Sequence, residues 1–264
     1  WVCVSEEFDV RKITKKILEA VSPQKHDHTD FNKIQTELKN YLMGKKCLLI
    51  LDDVWNENYD DWALLSIPFK YGTSGSRIIV TTRNESVALI MRPIQIFNLN
   101  KLSEEDCWLL FANHAFENGK SNAYPELERI GEEIIKKCDG LPLAAKALGC
   151  LLHSKLDVEE WNKILKSEIW SLPNDGGNVL PALRLSYNYL PSHLKRCFAY
   201  CSIFPKNYLF KMEELVQLWM GEGFLQQHNK NEEMEDIGAE YFLDLVSRSL
   251  LQRSNGSQLC FLMH

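Results

Sequence analysis

No apolar run in this chain approaches the roughly 18 residues that a helix needs to cross a bilayer, and a secretory leader is not expected. Basic charge is also scarce. The 30 Lys and Arg stand against 36 Asp and Glu, a formal net charge of -6, which argues against a surface built to hold nucleic acid phosphates. No zinc quartet is legible either: Cys197 and Cys201 would share a helix face, yet no second pair or nearby His completes four ligands. The eight cysteines are scattered through apolar patterns, as Cys3, Cys47, Cys107 and Cys150 are. They read as buried thiols in a reducing compartment rather than as a disulfide framework. The expectation is a cytoplasmic chain with no transmembrane segment.

What is present is enough for packed cores. With 264 residues, 45% of them hydrophobic and 11% aromatic, the chain has material for about two domains. Its most informative stretch is the basic pair Lys45-Lys46, the apolar run Cys47 to Leu51, and then two adjacent acids, Asp52 and Asp53. An apolar run without alternation reads as a strand buried on both faces of a parallel sheet, whose ligands collect at the strands' carboxyl ends. A carboxylate pair there suits nucleoside triphosphate chemistry, since one Asp can hold a hydrated Mg²⁺ while its neighbour orients a water. The same string alone also reads as a strand followed by an Asp turn or cap, so other segments must decide.

Around that stretch, strands and helices alternate. A short strand from Trp1 precedes a helix with Val10, Ile13, Ile17, Leu18 and Val21 on one face. Asp30 caps a second helix with a stripe of Phe31, Ile34, Leu38 and Tyr41 or Leu42, stopped at Gly44. Gly72 to Gly75 turns into a strand over Arg77 to Thr82, ending at Arg83; a short helix from Glu85 to Met91 leads to a further strand, Ile94 to Leu99. This alternation implies a doubly wound parallel α/β sheet, with Asp52, Asp53 and Arg83 meeting at its ligand edge.

From Ser103 onward helices take over. Ser103 and Asp106 resemble a capping box before the helix Cys107 to Phe116. A helix from Pro125 ends at Cys138, Asp139-Gly140 supplies the stop, and Pro142 begins the next helix where its missing N–H costs nothing. That helix carries Ala144, Ala145, Ala147 and Gly149, small enough for a neighbour to approach closely. After a polar linker, Pro173 to Asn178, come helices near Val179 to Tyr187, Ser192 to Tyr200, Met212 to Gly221 and Met234 to Leu250. A hairpin follows, Leu251 to Ser254 and Gln258 to Met263 around Asn255-Gly256, which suggests a winged helix. His26 and His28, in a polar loop beside Asp27, read as solvated rather than metal-binding. The chain opens at Trp1 and closes at Met263-His264 inside strand patterns, so it is expected to be part of a longer protein.

With WVCVSEEFD at Trp1, CLLILDDVW at Cys47, GSRIIVTTR at Gly75, LNKLSEEDCWLLFANHAF at Leu99, CDGLPLAAKALG at Cys138 and LKRCFAYCSIFPKNY at Leu194 in this order, the chain resembles a known family. These stretches match the NB-ARC nucleotide-binding region of plant intracellular nucleotide-binding leucine-rich-repeat immune receptors, a branch of the signal-transduction ATPases. The resemblance implies a P-loop NTPase-type α/β domain over residues 1–100, a helical domain over 101–176 and a winged-helix domain over 177–264, clamping ADP or ATP with Mg²⁺. Trp55 and the CFAYCSIFP form are typical of the coiled-coil class, so a coiled-coil domain and leucine-rich repeats are expected outside these residues.

Carried over by position, Asp52 resembles the residue that holds Mg²⁺ through water and Asp53 the one that supports hydrolysis. Arg83 resembles the sensor of the γ-phosphate, apt because a guanidinium fork fits phosphate oxygens. Leu141 and Pro142, in the Gly140-Leu141-Pro142-Leu143 motif, resemble the adenine-side contacts, and His264 resembles the Met-His-Asp histidine that meets the ADP phosphate. One departure stands out: no G-x-x-x-x-G-K-[ST] loop occurs among these residues, so the chain alone is expected to bind nucleotide poorly and to fold marginally.

The implied function is an ADP/ATP-operated switch, at most a slow ATPase, that couples perception of a pathogen effector or a guarded host protein to homo-oligomerisation and defence signalling. A turnover ATPase uses the same acids and is the alternative. A winged-helix DNA reader is disfavoured, because residues 179–264 carry eight Lys and Arg against nine Asp and Glu.

Overall fold

The computed structural model describes residues 1–4, 8–22, 30–153, 155–171, 181–205, 208–226, 232–254 and 260–263. The loop histidines His26 and His28, the linker Pro173 to Asn178, the turn pair Asn255-Gly256 and His264 lie outside the described residues. The chain divides into two units, Trp1–Asn98 and Leu99–His264.

In the first unit, β1 (Val2–Cys3), β2 (Leu48–Asp52) and β3 (Arg77–Val80) form a parallel sheet in the order β1-β2-β3. Parallel neighbours need long crossovers. Between β1 and β2 these are α1 (Val10–Val21) and α2 (Phe31–Leu42), and between β2 and β3 they are α3 (Tyr59–Ser66) with a 3₁₀ turn at Ile67–Tyr71. Helix α1 starts where the Asp9 carboxylate accepts the N–H groups of Arg11 and Lys12 at 2.9 and 3.1 Å, satisfying donors that have no partner within the helix. It buries Ile13, Ile17 and Leu18, and its buried Thr14 hydroxyl donates to the Val10 carbonyl. Asp30 caps α2 through Asn32 N–H at 2.9 Å, Ile34, Leu38 and Leu42 face inward, and Gly44 takes the left-handed φ of 71° at which the helix stops.

Two expectations for this unit are corrected. The run into the acids is not buried on both faces: Leu49 and Leu51 are buried, but Ile50 is half-buried and Leu48 is 62% exposed. Helices α1 and α2 supply the apolar partners for Leu49 and Leu51, so burial follows the pleat with period two. The segment Ile94 to Leu99 forms no strand, and Ile94 and Leu99 are almost fully exposed. A strand persists only where a neighbour takes its N–H and C=O groups, and this segment pairs with no described strand. The short helix expected ahead of that segment is present as α4 (Glu85–Ile90).

The second unit holds two apolar cores. Helices α5 (Glu104–Ala115), α6 (Pro125–Lys136), α7 (Pro142–Leu152), α8 (Val158–Leu165) and α9 (Pro181–Asn188) enclose Phe111, Ile134, Leu148, Trp161 and Leu185. The Ser103 hydroxyl starts α5 by accepting Asp106 N–H at 3.0 Å. Gly149 lets α7 lie against α5, since a Cβ there would stand 2.7 Å from the Phe111 carbonyl oxygen. The other core is built by α10 (Ser192–Tyr200), α11 (Met212–Gly221) and α12 (Met234–Ser247) around Leu194, Trp219, Phe242 and Leu245. Beside them β4 (Phe210–Lys211), β5 (Leu251–Arg253) and β6 (Cys260–Met263) pair antiparallel in the order β4-β6-β5, the wing of a winged helix.

Between these two cores, the Sγ of Cys150 on α7 lies 3.3 Å from the hydroxyl of Ser249, in the turn after α12. Ser249 is buried and holds a left-handed φ of 58°. All eight cysteines are free, but only Cys107, Cys138, Cys197 and Cys201 are buried, while Cys3, Cys47, Cys150 and Cys260 are half-buried. Burial pushes the thiols of Cys138, Cys197 and Cys201 up to about 12. Among the described residues no helix is long and apolar enough to cross a membrane.

Candidate functional site

Strand register builds the acidic edge. Leu51 of β2 pairs with Val80 of β3, so the next residues along the two parallel strands, Asp52 and Thr81, stand side by side. Neighbouring residues in a parallel register project to the same face. The Thr81 hydroxyl accordingly donates to Asp52 Oδ1.

The chain then leaves the sheet through Asp53, whose φ of 56° is left-handed, a conformation Asp tolerates better than most residues with a side chain. Thr81 holds this turn twice: its Oγ1 accepts Asp53 N–H and its carbonyl accepts Val54 N–H, both at 2.9 Å. Beyond the turn, the Ser86 hydroxyl donates to Glu57 at 2.8 Å, and Asn84 caps α4 through Ser86 N–H at 3.0 Å, so the loop after β2 is tied to the start of α4.

Arg83 completes the cluster. Its guanidinium lies 3.4 Å from Asp53 Oδ1 and 4.4 Å from the centre of the Trp55 ring. The arginine side chain is 58% exposed, so the ion pair contributes about 0–1 kcal/mol, and the stack on Trp55 about 0.5–1 kcal/mol. Contacts this weak orient the guanidinium without fixing it, and leave it able to exchange one anionic partner for another.

The other candidate residues belong to the second unit. Helix α6 is closed by Asp139 and Gly140, with φ of 51° and 70°. The Gly140 carbonyl accepts Leu102 N–H at 2.9 Å, and a Cβ at Gly140 would stand 2.8 Å from the Leu102 carbonyl oxygen. This glycine is required by both conformation and space. The turn delivers Leu141 half-buried against the helical core and Pro142, exposed, at the first position of α7. Asp52, Asp53 and Arg83 are thus brought together in the first unit, Leu141 and Pro142 are adjacent in the second, and His264 lies outside the described residues.

Two neighbours of this cluster escaped sequence reasoning. Thr81 reads in sequence only as a strand ending, and Trp55 only as a marker of family class. The signal for Thr81 is the register, since counting back from Arg83 sets it level with Asp52 once β2 and β3 are taken as parallel neighbours.

The donor set fits a hydrated divalent cation accompanied by phosphate. Among the described residues no three His, Cys, Asp or Glu side chains converge as a metal cage. Mg²⁺ typically takes one or two carboxylates and fills its remaining positions with water and phosphate oxygens, which is what the Asp52–Asp53 pair allows.

Comparison with known proteins identifies two domains in this chain. The NB-ARC domain model matches residues 1–121, and the disease resistance protein winged helix domain model matches residues 203–264. An RPP13-like disease resistance protein of Arabidopsis thaliana is 51% identical over 256 residues, covering 96% of this chain and 24% of that protein. Disease resistance protein RGA2 of Solanum bulbocastanum is 46% identical over 253 residues, covering 96% of this chain and 26% of that protein. Disease resistance protein RPM1 of Arabidopsis thaliana is 31% identical over 266 residues, covering 96% and 28%. The chain therefore spans about a quarter of the length of the curated relatives it matches. With both domain models matched and relatives up to 51% identical aligned along 96% of it, the chain belongs to the NB-ARC family of plant disease resistance proteins.

Proposed function

We propose that this chain is the ADP/ATP-operated switch of a plant immune receptor, working in the cytoplasm between a coiled-coil domain and leucine-rich repeats. The observation that carries this reading is the meeting of Asp52, Asp53 and Arg83 at the carboxyl ends of two parallel strands, in a chain of a nucleotide-binding family. Bound Mg²⁺ would supply positive charge to offset that of the nucleotide's phosphates. Asp52 would hold that ion through its water, Asp53 would orient a water for hydrolysis, and Arg83 would exchange Asp53 for the γ-phosphate when ATP replaces ADP. Leu141 and Pro142 cover the adenine, and His264 meets the ADP phosphate.

In this reading three modules, residues 1–100, 101–176 and 177–264, close around ADP and open with ATP, with α9 packed on the helical core. Reversing such a switch from 1:99 to 99:1 needs about 5.5 kcal/mol of differential binding, so contacts made only in the closed form decide its bias. Effector or guarded-host-protein perception releases ADP, and the ATP form assembles into a homo-oligomer. Hydrolysis is slow and serves to reset the switch.

The test is the nucleotide content of the full-length protein carrying this chain after gentle purification. Stoichiometric ADP, with multiple-turnover hydrolysis limited by its release, is the expected result. Absence of both ADP and ATP would overturn the reading, and fast steady turnover would replace the switch with an ATPase.

A further inference from the structure

Thr81 has a single hydroxyl proton, and the structure determines where it points. The backbone N–H of Asp53 can only donate, and it reaches Thr81 Oγ1 at 2.9 Å, so it occupies a lone pair of that oxygen. The hydroxyl proton is then directed at Asp52 Oδ1. One side chain on β3 therefore does two things to the acids on β2. It pins one oxygen of Asp52, fixing the carboxylate's rotation, and it anchors the backbone of Asp53 in its left-handed conformation. The main chain of Thr81 reinforces this, donating to Leu51 O at 3.0 Å and accepting Val54 N–H at 2.9 Å, so the hydroxyl itself is held on both flanks of the acidic pair.

We infer that Thr81 is a positioning residue for the magnesium–nucleotide complex: its hydroxyl presents Asp52 to the hydrated cation and sets Asp53 apart at the turn. This rests on the nucleotide reading given above and deepens it. Groups that orient a metal-binding side chain without touching the metal commonly matter by about 10- to 100-fold in metal affinity. Thr81→Val keeps the shape of the side chain but removes both hydrogen bonds, whereas Thr81→Ser keeps the hydroxyl.

The experiment measures ADP affinity of the full-length protein by equilibrium titration with and without Mg²⁺. For the parent protein, Mg²⁺ is expected to tighten ADP. Thr81→Val should lose about 10- to 100-fold of that tightening with little change in Mg²⁺-free affinity, and Thr81→Ser should restore most of it. In an Asp52→Asn background Thr81→Val should add little, because the two residues act as one unit. If Thr81→Val does not fold, Thr81→Ala carries the same expectation.

A parent protein whose ADP affinity ignores Mg²⁺ would sink the reading of the site itself. A Mg²⁺-dependent parent with an unchanged Thr81→Val would sink the inference about Thr81 alone. So would an equal loss with and without Mg²⁺, or a full additional loss on top of Asp52→Asn.

Discussion

The two units of this molecule hold themselves together by different means. In the second, large aromatic side chains are fully enclosed: Phe111 and Trp161 in the helical core, Trp219 and Phe242 in the winged-helix core. In the first, the fully buried side chains are aliphatic, such as Leu18, Leu38, Leu51 and Leu65, and the strands keep Leu48, Ile78 and Ile79 exposed. The difference teaches where precision comes from. The acidic edge is placed by the hydrogen-bonded ladder between β2 and β3 and by the Thr81 hydroxyl, not by burial around it. Packing carries the stability of the helical unit, and register carries the geometry of the site.

Substitutions ranked by expected size can break or sharpen this contrast. The largest effect belongs to Trp161, whose ring is fully buried against Phe111 and Phe116 and whose indole N–H donates to the Lys155 carbonyl at 2.8 Å. Trp161→Ala should cost about 3–5 kcal/mol in urea unfolding followed by circular dichroism. Next comes Gly140→Ala, where the left-handed backbone alone costs about 1–2 kcal/mol and the crowded Leu102 carbonyl adds to it. A melting temperature equal to that of the parent would mean that the turn before Pro142 has another conformation.

Ser103→Ala removes one helix cap and should cost about 1 kcal/mol by the same unfolding measurement. Smallest is Ile79→Thr on the exposed face of β3, expected within about 0.5 kcal/mol. A loss there above about 2 kcal/mol would place Ile79 in a core and overturn the contrast, showing that β3 is covered in the full-length protein.

Much of this architecture is legible in the sequence, for reasons visible at single residues. Asp30 and Ser103 announce their helices because capping is local, needing only a side-chain oxygen and an N–H two or three residues on. The parallel sheet follows from strands alternating with helices, and the antiparallel pairing of β5 with β6 follows from their two apolar runs. Helices α3 and α8 are not read from the sequence. Strand β4 is missed because what makes Phe210–Lys211 a strand is its pairing with β6, which its own residues do not announce.

Ile94 to Leu99 fails for the opposite reason. Its apolar residues are suitable for a strand, but pattern describes one chain segment while pairing needs two. The same limit applies within the site. Adjacent acids and the arginine can be read from the string, whereas the hydroxyl between them belongs to another strand and becomes visible only when the register is known.

Ser249 turns a local backbone cost into a question about the whole second unit. Glycine would occupy its left-handed turn more comfortably, yet it would lack the hydroxyl that lies 3.3 Å from the sulfur of Cys150. Easing the turn and giving up that contact are therefore one and the same substitution: Ser249→Gly would relieve the backbone and at the same time remove the oxygen that faces Cys150 from the neighbouring core.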